Sequence, residues 1–245
     1  MTRDEGLSRL GALGFAPTAA ETLWAHFDDA ERRGKPSHGH GRIAWLETQD
    51  GFDPAAAPRV TEDRDGFRRY DANGAIGYLV VQEAVRSIVE APPERARLVV
   101  VERCYPTGML GYYARVLAGA GLVSVLTATS PRRLGHPDGG AKLTGTNPLA
   151  VGVPSSDGRP VVADVSMGAV TWGDVVAGLA SEDELVPFGG EHAHKAFALA
   201  VGLQLVVDAL VREPGHGVVL LAARPESDPV PALRELAAGT RLPGG

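Results

Sequence analysis

The stretch Ser37-His38-Gly39-His40-Gly41-Arg42 sets an imidazole four positions before a guanidinium, in a segment that Pro36 and two glycines keep irregular. A guanidinium grips a carboxylate through paired hydrogen bonds, and an imidazole exchanges protons near neutral pH. Together His38 and Arg42 suit acid/base work on an atom next to a carboxylate, the chemistry of 2-oxo and 2-imino acids. The plain alternative is a solvated loop histidine beside an unrelated arginine. A glycine-rich loop at 139–148 offers Thr144, Thr146 and Asn147 as polar groups with little bulk. Further on, His192, His194 and Lys195 gather at a helix start. Histidines two apart point to different sides of a helix and no partner stands at i, i+4, so no metal site is expected and Lys195 reads as a cation for a phosphate. The loop Cys104-Tyr105-Pro106-Thr107 leaves an apolar strand, a place where α/β proteins put chemistry.

The elements that position these residues follow from period and punctuation. Residues 17–34 read as a helix, with Thr18 and Glu21 in capping-box register and Leu23, Phe27 and Ala30 at helical spacing. Residues 51–70 read as a proline-rich connection and a hairpin turning at Asp65-Gly66. A helix burying Ile76, Leu79, Val80 and Ile88 stops before Pro92-Pro93. Strand 96–103, helix 108–121 and strand 122–129 have the order of a crossover unit. Gly119-Ala120-Gly121 stops that helix and precedes a strand, so it is not a dinucleotide fingerprint. Residues 147–166 read as two strands about Ser156-Asp157-Gly158, and a mixed sheet is expected. A long helix near 192–212, a strand from 217 and a short helix from 231 follow.

With 44% apolar and 22% charged residues, the 245-residue chain has the composition of an ordinary globular protein. Its net charge of -6 argues against nucleic acid or an anionic membrane surface and leaves small molecules or proteins as partners. One cysteine, Cys104, excludes an internal disulfide and a cysteine zinc cage. No basic leader and no apolar run of membrane length is read, so a cytoplasmic protein is expected.

These segments, in this order, resemble the malate/L-lactate dehydrogenase family, which includes ureidoglycolate and sulfolactate dehydrogenases, diketogulonate reductase and the piperideine-2-carboxylate reductases. SHGHGR is similar to the family's Ser-His-Gly-x-x-Arg, DANGAIG to its Asp-Gly-x-x-Gly-x-Gly, and GMLGYYA to Gly-Ala-Ala-Gly-Tyr-Tyr-Ala. LTGTNPLAVGVP matches Leu-Gly-Thr-Asn-Pro-Leu-Ala, VADVS stands at Asp-Met-Ala, PFGGEHAHKAFALA resembles Gly-Gly-His-Lys-Gly-Tyr-Gly-Leu-Ala, and RLPGG the terminal Arg-x-Pro-Gly-Glu. The resemblance implies a mixed α/β, non-Rossmann fold: an N-terminal helical part (1–70), a mixed-sheet core (71–190) and a C-terminal return (191–245). It also implies a homodimer with NADH or NADPH in a cleft, and a small carboxylate substrate. Carried over, Ser37, Arg42, Thr146 and Asn147 hold the substrate, His38 protonates it, and Ser130, Gly145, Asp164, Ser166 and Lys195 face the cofactor.

Three departures stand out. The family's Asn-His-Phe-Gly is Tyr105-Pro106-Thr107-Gly108 here, and proline cannot transfer a proton. The stretch between Asp164 and Gly189 is shorter than in the family, and its Trp172 suggests a remodelled dimer contact. Gly245 replaces the terminal acidic residue. Two readings follow. The first is an NAD(P)H-dependent reductase of a 2-oxo acid or cyclic 2-imino acid that uses His38 with Tyr105. The second is a protein that has lost the nicotinamide, either a cofactor-free isomerase, lyase or cyclase around His38 or a non-catalytic binding subunit.

Overall fold

The computed structural model describes residues 1–244; Gly245 lies outside the described residues. Helix α1 (Arg3–Ala12) starts from a capping box between Thr2 and Glu5. Helix α2 (Pro17–Arg32) starts at Pro17, whose missing N–H costs nothing in a first turn. The box expected at Thr18 and Glu21 is therefore not its start: Ala16 is the cap residue, and the Thr22 hydroxyl donates to the Thr18 carbonyl. A 3-10 turn (Pro36–His38) leads into α3 (Gly41–Leu46). These helices close one apolar cluster of Leu10, Leu23, Phe27, Ile43 and Leu46 with Ile76 and Tyr78.

Strands β1 (Arg59–Arg64) and β2 (Phe67–Asp71) form the expected hairpin, with Gly66 at φ +67° in its turn. Then come α4 (Gly77–Glu90), β3 (Ala96–Glu102), α5 (Leu110–Gly119) and β4 (Val123–Ala128). A two-stranded ribbon pairs β5 (Leu134–Gly135) with β6 (Lys142–Thr144). The hairpin of β7 (Leu149–Val153) and β8 (Val161–Val165) precedes α6 (Trp172–Val176), α7 (Ala193–Leu210), β9 (Gly217–Ala223) and α8 (Val230–Ala237).

Seven strands make one sheet in the order β1-β2-β3-β9-β4-β7-β8, and only β2 and β3 pair in parallel. The expected crossover from β3 through α5 to β4 is present, but β9 lies between the two strands, antiparallel to both. The divisions expected at 70 and 190 thus fall within one sheet, which takes strands from all three segments.

Alternation decides the faces. Val99, Val101, Leu126, Val218 and Leu220 point to the side covered by α4 and α5, where Val81, Val85, Ile88, Leu110, Tyr113 and Leu117 meet them. Each such side chain contributes about 1.5–3 kcal/mol when removed from water. Helix α7 lies on the other face through Ala200, beside Leu134 and Met167. With its preceding turn it is 21 residues long at mean hydropathy 1.4, so the expectation of no apolar run of membrane length does not hold for residues Gly190–Leu210. The inner side of this helix packs on the sheet, and its outer side leaves Leu199, Leu205 and Val206 exposed.

Candidate active site

Between the N-terminal helices and the sheet opens a cleft of about 900 Å³, within the range of small-molecule and cofactor sites. The 3-10 turn and α3 present Ser37, His38 and Arg42 to it; the loop after β3 brings Tyr105 and Pro106; the end of β4 brings Ser130. The end of β8 adds Asp164 and Ser166, and the start of α6 adds Trp172, Gly173 and Asp174. Of the residues expected in the site, Ser37, His38, Arg42, Tyr105, Ser130, Thr146, Asp164 and Ser166 line this one cleft.

The two histidines of SHGHGR part company. His40 stacks on Trp24 with ring centroids 4.4 Å apart and meets Asp28 at 3.2 Å, which ties the turn to α2. His38 turns into the cleft, and its Nδ1 is buried without a partner. Enclosure by protein lowers the His38 pKa to about 4; Arg42 and Lys35 push the same way and Asp174 opposes. Arg42 is 8% exposed, packs over the Trp45 ring at 4.8 Å and leaves its Nε unpartnered. Its Nη2 lies 2.7 Å from where a Cβ on Gly173 would stand, so the guanidinium needs glycine there. Asp174 closes the cap of α6 on Thr171 (2.7 and 2.8 Å).

Asp164 is exposed to the cleft on one side and packed by protein on the others. Desolvation raises its pKa against the Gly111 N–H, which donates to it at 2.7 Å from the first turn of α5, and against Arg115. Ser166 accepts from the Gly168 N–H at 3.1 Å. The cleft wall carries seven cationic side chains, Arg32, Arg33, Lys35, Arg42, Arg115, Arg133 and Arg241, against two carboxylates, Asp164 and Asp174. Arg32, Arg33 and Arg115 are paired with Asp28 and Asp29, yet cations still outnumber carboxylates around this cleft of a chain of net charge -6, which fits an anionic ligand.

Gly145, Asn147 and Lys195 do not line the cleft among the described residues. Asn147 is fully buried and gives its amide to Ala200 O (3.3 Å) and Gln204 Oε1 (3.0 Å) while its Oδ1 accepts from Ser130 N–H (3.3 Å). It holds the Ser130 segment against α7. A Cβ at Gly145 would strike Ser130 Oγ, so this glycine lets Ser130 approach. Lys195 is exposed on α7, whose inward positions are Ala193, Ala196 and Ala200. Trp172, which the sequence suggests marks a remodelled dimer contact, lines the cleft under Arg133.

Two groups escaped the sequence reading. Tyr78 is 2% exposed in the cleft wall, with a hydroxyl that has no partner. His26 is buried beside it, ring centroids 5.0 Å apart, and its Nε2 accepts the Met109 N–H at 3.0 Å; burial lowers its pKa to about 3. The signal for His26 was present: it stands three residues after Leu23 on the apolar stripe of α2.

A malate/L-lactate dehydrogenase family model matches residues 6–190. The L-lactate dehydrogenase of Cupriavidus necator is 28% identical over 229 residues, 78% of this chain and 64% of that protein. The Delta(1)-pyrroline-2-carboxylate/Delta(1)-piperideine-2-carboxylate reductase of Pseudomonas aeruginosa is 28% identical over 221 residues, again 78% and 64%. The chain spans roughly half to two thirds of the length of the curated relatives it matches. In fold it is similar to the crystal structure of delta1-piperideine-2-carboxylate reductase from Pseudomonas syringae, with a TM-score of 0.82, 22% identity, and coverage of 99% of this chain and 89% of that one.

Proposed function

Since the chain belongs to the malate/L-lactate dehydrogenase family, we propose that it is an NAD(P)H-dependent reductase of a small 2-oxo acid or cyclic 2-imino acid. The observation that carries this reading is the meeting of His38, Arg42, Asp164 and Ser166 in one cation-lined cleft, with His38 Nδ1, Arg42 Nε and the Tyr78 hydroxyl left unpartnered in its walls. Buried polar atoms without partners are costly, and a bound acid would satisfy them.

Ser130, Asp164 and Ser166 would hold the nicotinamide end of the cofactor, and the cations Arg32, Arg33, Lys35 and Arg115 its phosphates. When bound, this group supplies hydride. Arg42 binds the substrate carboxylate and so fixes the neighbouring carbon; Tyr78 O–H donates to the reacting oxygen or nitrogen, where negative charge develops. His38 transfers the proton, with Tyr105 beside it in the same wall. In the free protein His38 rests neutral, ready to accept a proton from an alcohol or amine. In the reductive direction the substrate carboxylate offsets the charge of Arg42, the second largest influence holding His38 neutral, and restores its ability to donate.

A cytoplasmic setting and a homodimer complete the proposal, supported respectively by the need for a reduced nicotinamide supply and by the unpartnered apolar face of α7. Pro106 favours a second reading, cofactor-free acid/base chemistry by His38 and Tyr105. Titration with NADH and NADPH, followed by quenching of tryptophan fluorescence, separates the two. Saturable binding of either dinucleotide is expected; absence of binding by both would leave the cofactor-free reading.

A further inference from the structure

Tyr105 has a second neighbour behind the cleft wall. Its side chain lines the cleft, and its ring meets the imidazole of His216 with ring centroids 5.2 Å apart and planes tilted by 49°. Backbone bonds fix the contact: the Cys104 N–H donates to the His216 carbonyl at 2.8 Å, and Gly217 and Thr129 exchange hydrogen bonds at 3.0 Å. His216 is half-buried and does not line the cleft. It lines a separate cavity of about 450 Å³ beside Asp208, and Ser130 stands between the two spaces as a lining residue of both. The solvent contact of His216 is therefore independent of what fills the cleft.

Opposed charges surround the pair. His216 faces Tyr105, Arg133 and Asp208, and Arg132, Arg212 and Glu213 lie around the second cavity. Burial lowers the His216 pKa, Arg133 lowers it further and Asp208 raises it; burial raises that of Tyr105, and Arg133 and then Arg42 pull it back. Arg133 belongs to the cleft wall, so an anionic ligand there offsets its charge and makes His216 easier to protonate. Reduction needs a group that still carries a proton at neutral pH. His38 rests neutral there, Pro106 has no proton to give, and Tyr105 keeps its phenolic one. A phenol is a weak acid, and a cation in ring contact strengthens it by stabilising the phenolate.

We propose that His216 is a positioning residue for the reaction: it holds Tyr105 in the cleft wall and, once protonated from the second cavity, makes the phenol a stronger proton donor to the cleft. The Tyr105 O–H bond breaks as its proton passes into the cleft, the phenolate stays beside the imidazolium, and water restores the O–H bond after product leaves. His216 keeps its own proton throughout. This inference rests on the reductase reading for the identity of the proton acceptor, while the coupling of the two rings can be measured without turnover.

The test places a tetrafluorotyrosine, whose phenol ionises in the pH range of imidazole, at position 105 of the full chain and follows phenolate absorbance against pH. The same titration is made with His216→Gln and with His216→Phe. Loss of the imidazolium should raise the midpoint by about one pH unit or more in both variants. A His216 that only packs gives a different sign: glutamine admits water to the phenol and lowers the midpoint, and phenylalanine preserves the ring contact and leaves it unchanged. Either of those results would overturn the proposal, and His216→Phe decides it even if the glutamine variant fails to fold. Titration with NADH and NADPH decides the reductase reading separately, and its failure leaves the midpoints fully interpretable.

Discussion

At the scale of single residues, the buried His26 and the half-buried His38 shape the response of this protein to pH. His26 and His38 have folded-state pKa values of about 3 and about 4, below the usual 6.5. The unfolded chain takes up their protons first as pH falls, so their contribution to stability is whole above about pH 6.5 and is lost through the window down to about 3–4. The shifts correspond to roughly 3–5 kcal/mol each. Denaturant unfolding followed from pH 7 to pH 4 should show stability falling, and His26→Gln should flatten that fall by up to one proton's slope, about 1.4 kcal/mol per pH unit; an unchanged slope would contradict the assignment. The same depression bears on the proposed catalysis. With the free protein, kcat/KM for oxidation should be level above about pH 5, because His38 is already a free base, while kcat/KM for reduction should decline as pH rises. Residue types and spacing announced His38 and Arg42 in advance, since both stand in one irregular hexapeptide. Tyr78 was not legible, because only the close approach of Gly108, at φ +71°, turns that tyrosine into a wall of the cleft.

At the scale of elements, α6 is a short helix with a large effect. Its capping box on Thr171 and Asp174 fixes the start of the helix, so that Trp172 meets Arg133 and Gly173 meets Arg42. Gly173→Ala adds a Cβ 2.7 Å from Arg42 Nη2 and 2.9 Å from the Ser37 carbonyl, without a left-handed backbone to strain. Alanine favours a helix, so the fold should be kept while the guanidinium is displaced. The expected result is a KM for the acid raised about tenfold, with a lower melting temperature because the Ser37 carbonyl must shift as well as the guanidinium, checked by steady-state kinetics and a melting curve; an unaltered KM would show that Arg42 does not depend on this approach. Most elements were readable from periodicity: the hairpins at Gly66 and Gly158 and the helices ending before Pro92 and at Gly121 lie where local signals put them. The place of β9 between β3 and β4 was not readable, since pairing between residues ninety or more positions apart leaves no local mark. The same holds for Asn147, whose partners on α7 lie far along the chain and turn an expected ligand-binding residue into a structural tie.

At the scale of the whole molecule, charge and apolar surface are both unevenly spread. Cations gather in the cleft of an acidic chain, and Leu199, Leu205 and Val206 leave the outer side of α7 apolar. A second copy burying that side would give an interface with an apolar centre. Sedimentation velocity should therefore give a dimer, and Leu205→Glu should shift it toward monomer; a wild-type monomer at micromolar concentration would refute this. The family resemblance was legible in the order of motifs across the chain, and the sheet topology agrees with it. What the motifs could not convey was how the cleft around Pro106 is assembled, because that depends on side chains from more than five separate stretches meeting in space. The central claim is that His38, in this cleft, moves the proton that accompanies hydride transfer to a small acid. Its most direct test is a single-turnover experiment in which the protein, loaded with NADPH or NADH, is mixed with a panel of 2-oxo and cyclic imino acids and the loss of reduced nicotinamide absorbance is followed. The wild type should consume one equivalent per site with at least one acid, and His38→Ala should do so about two orders of magnitude more slowly. Consumption at the same rate in both proteins, or none in either, would contradict it.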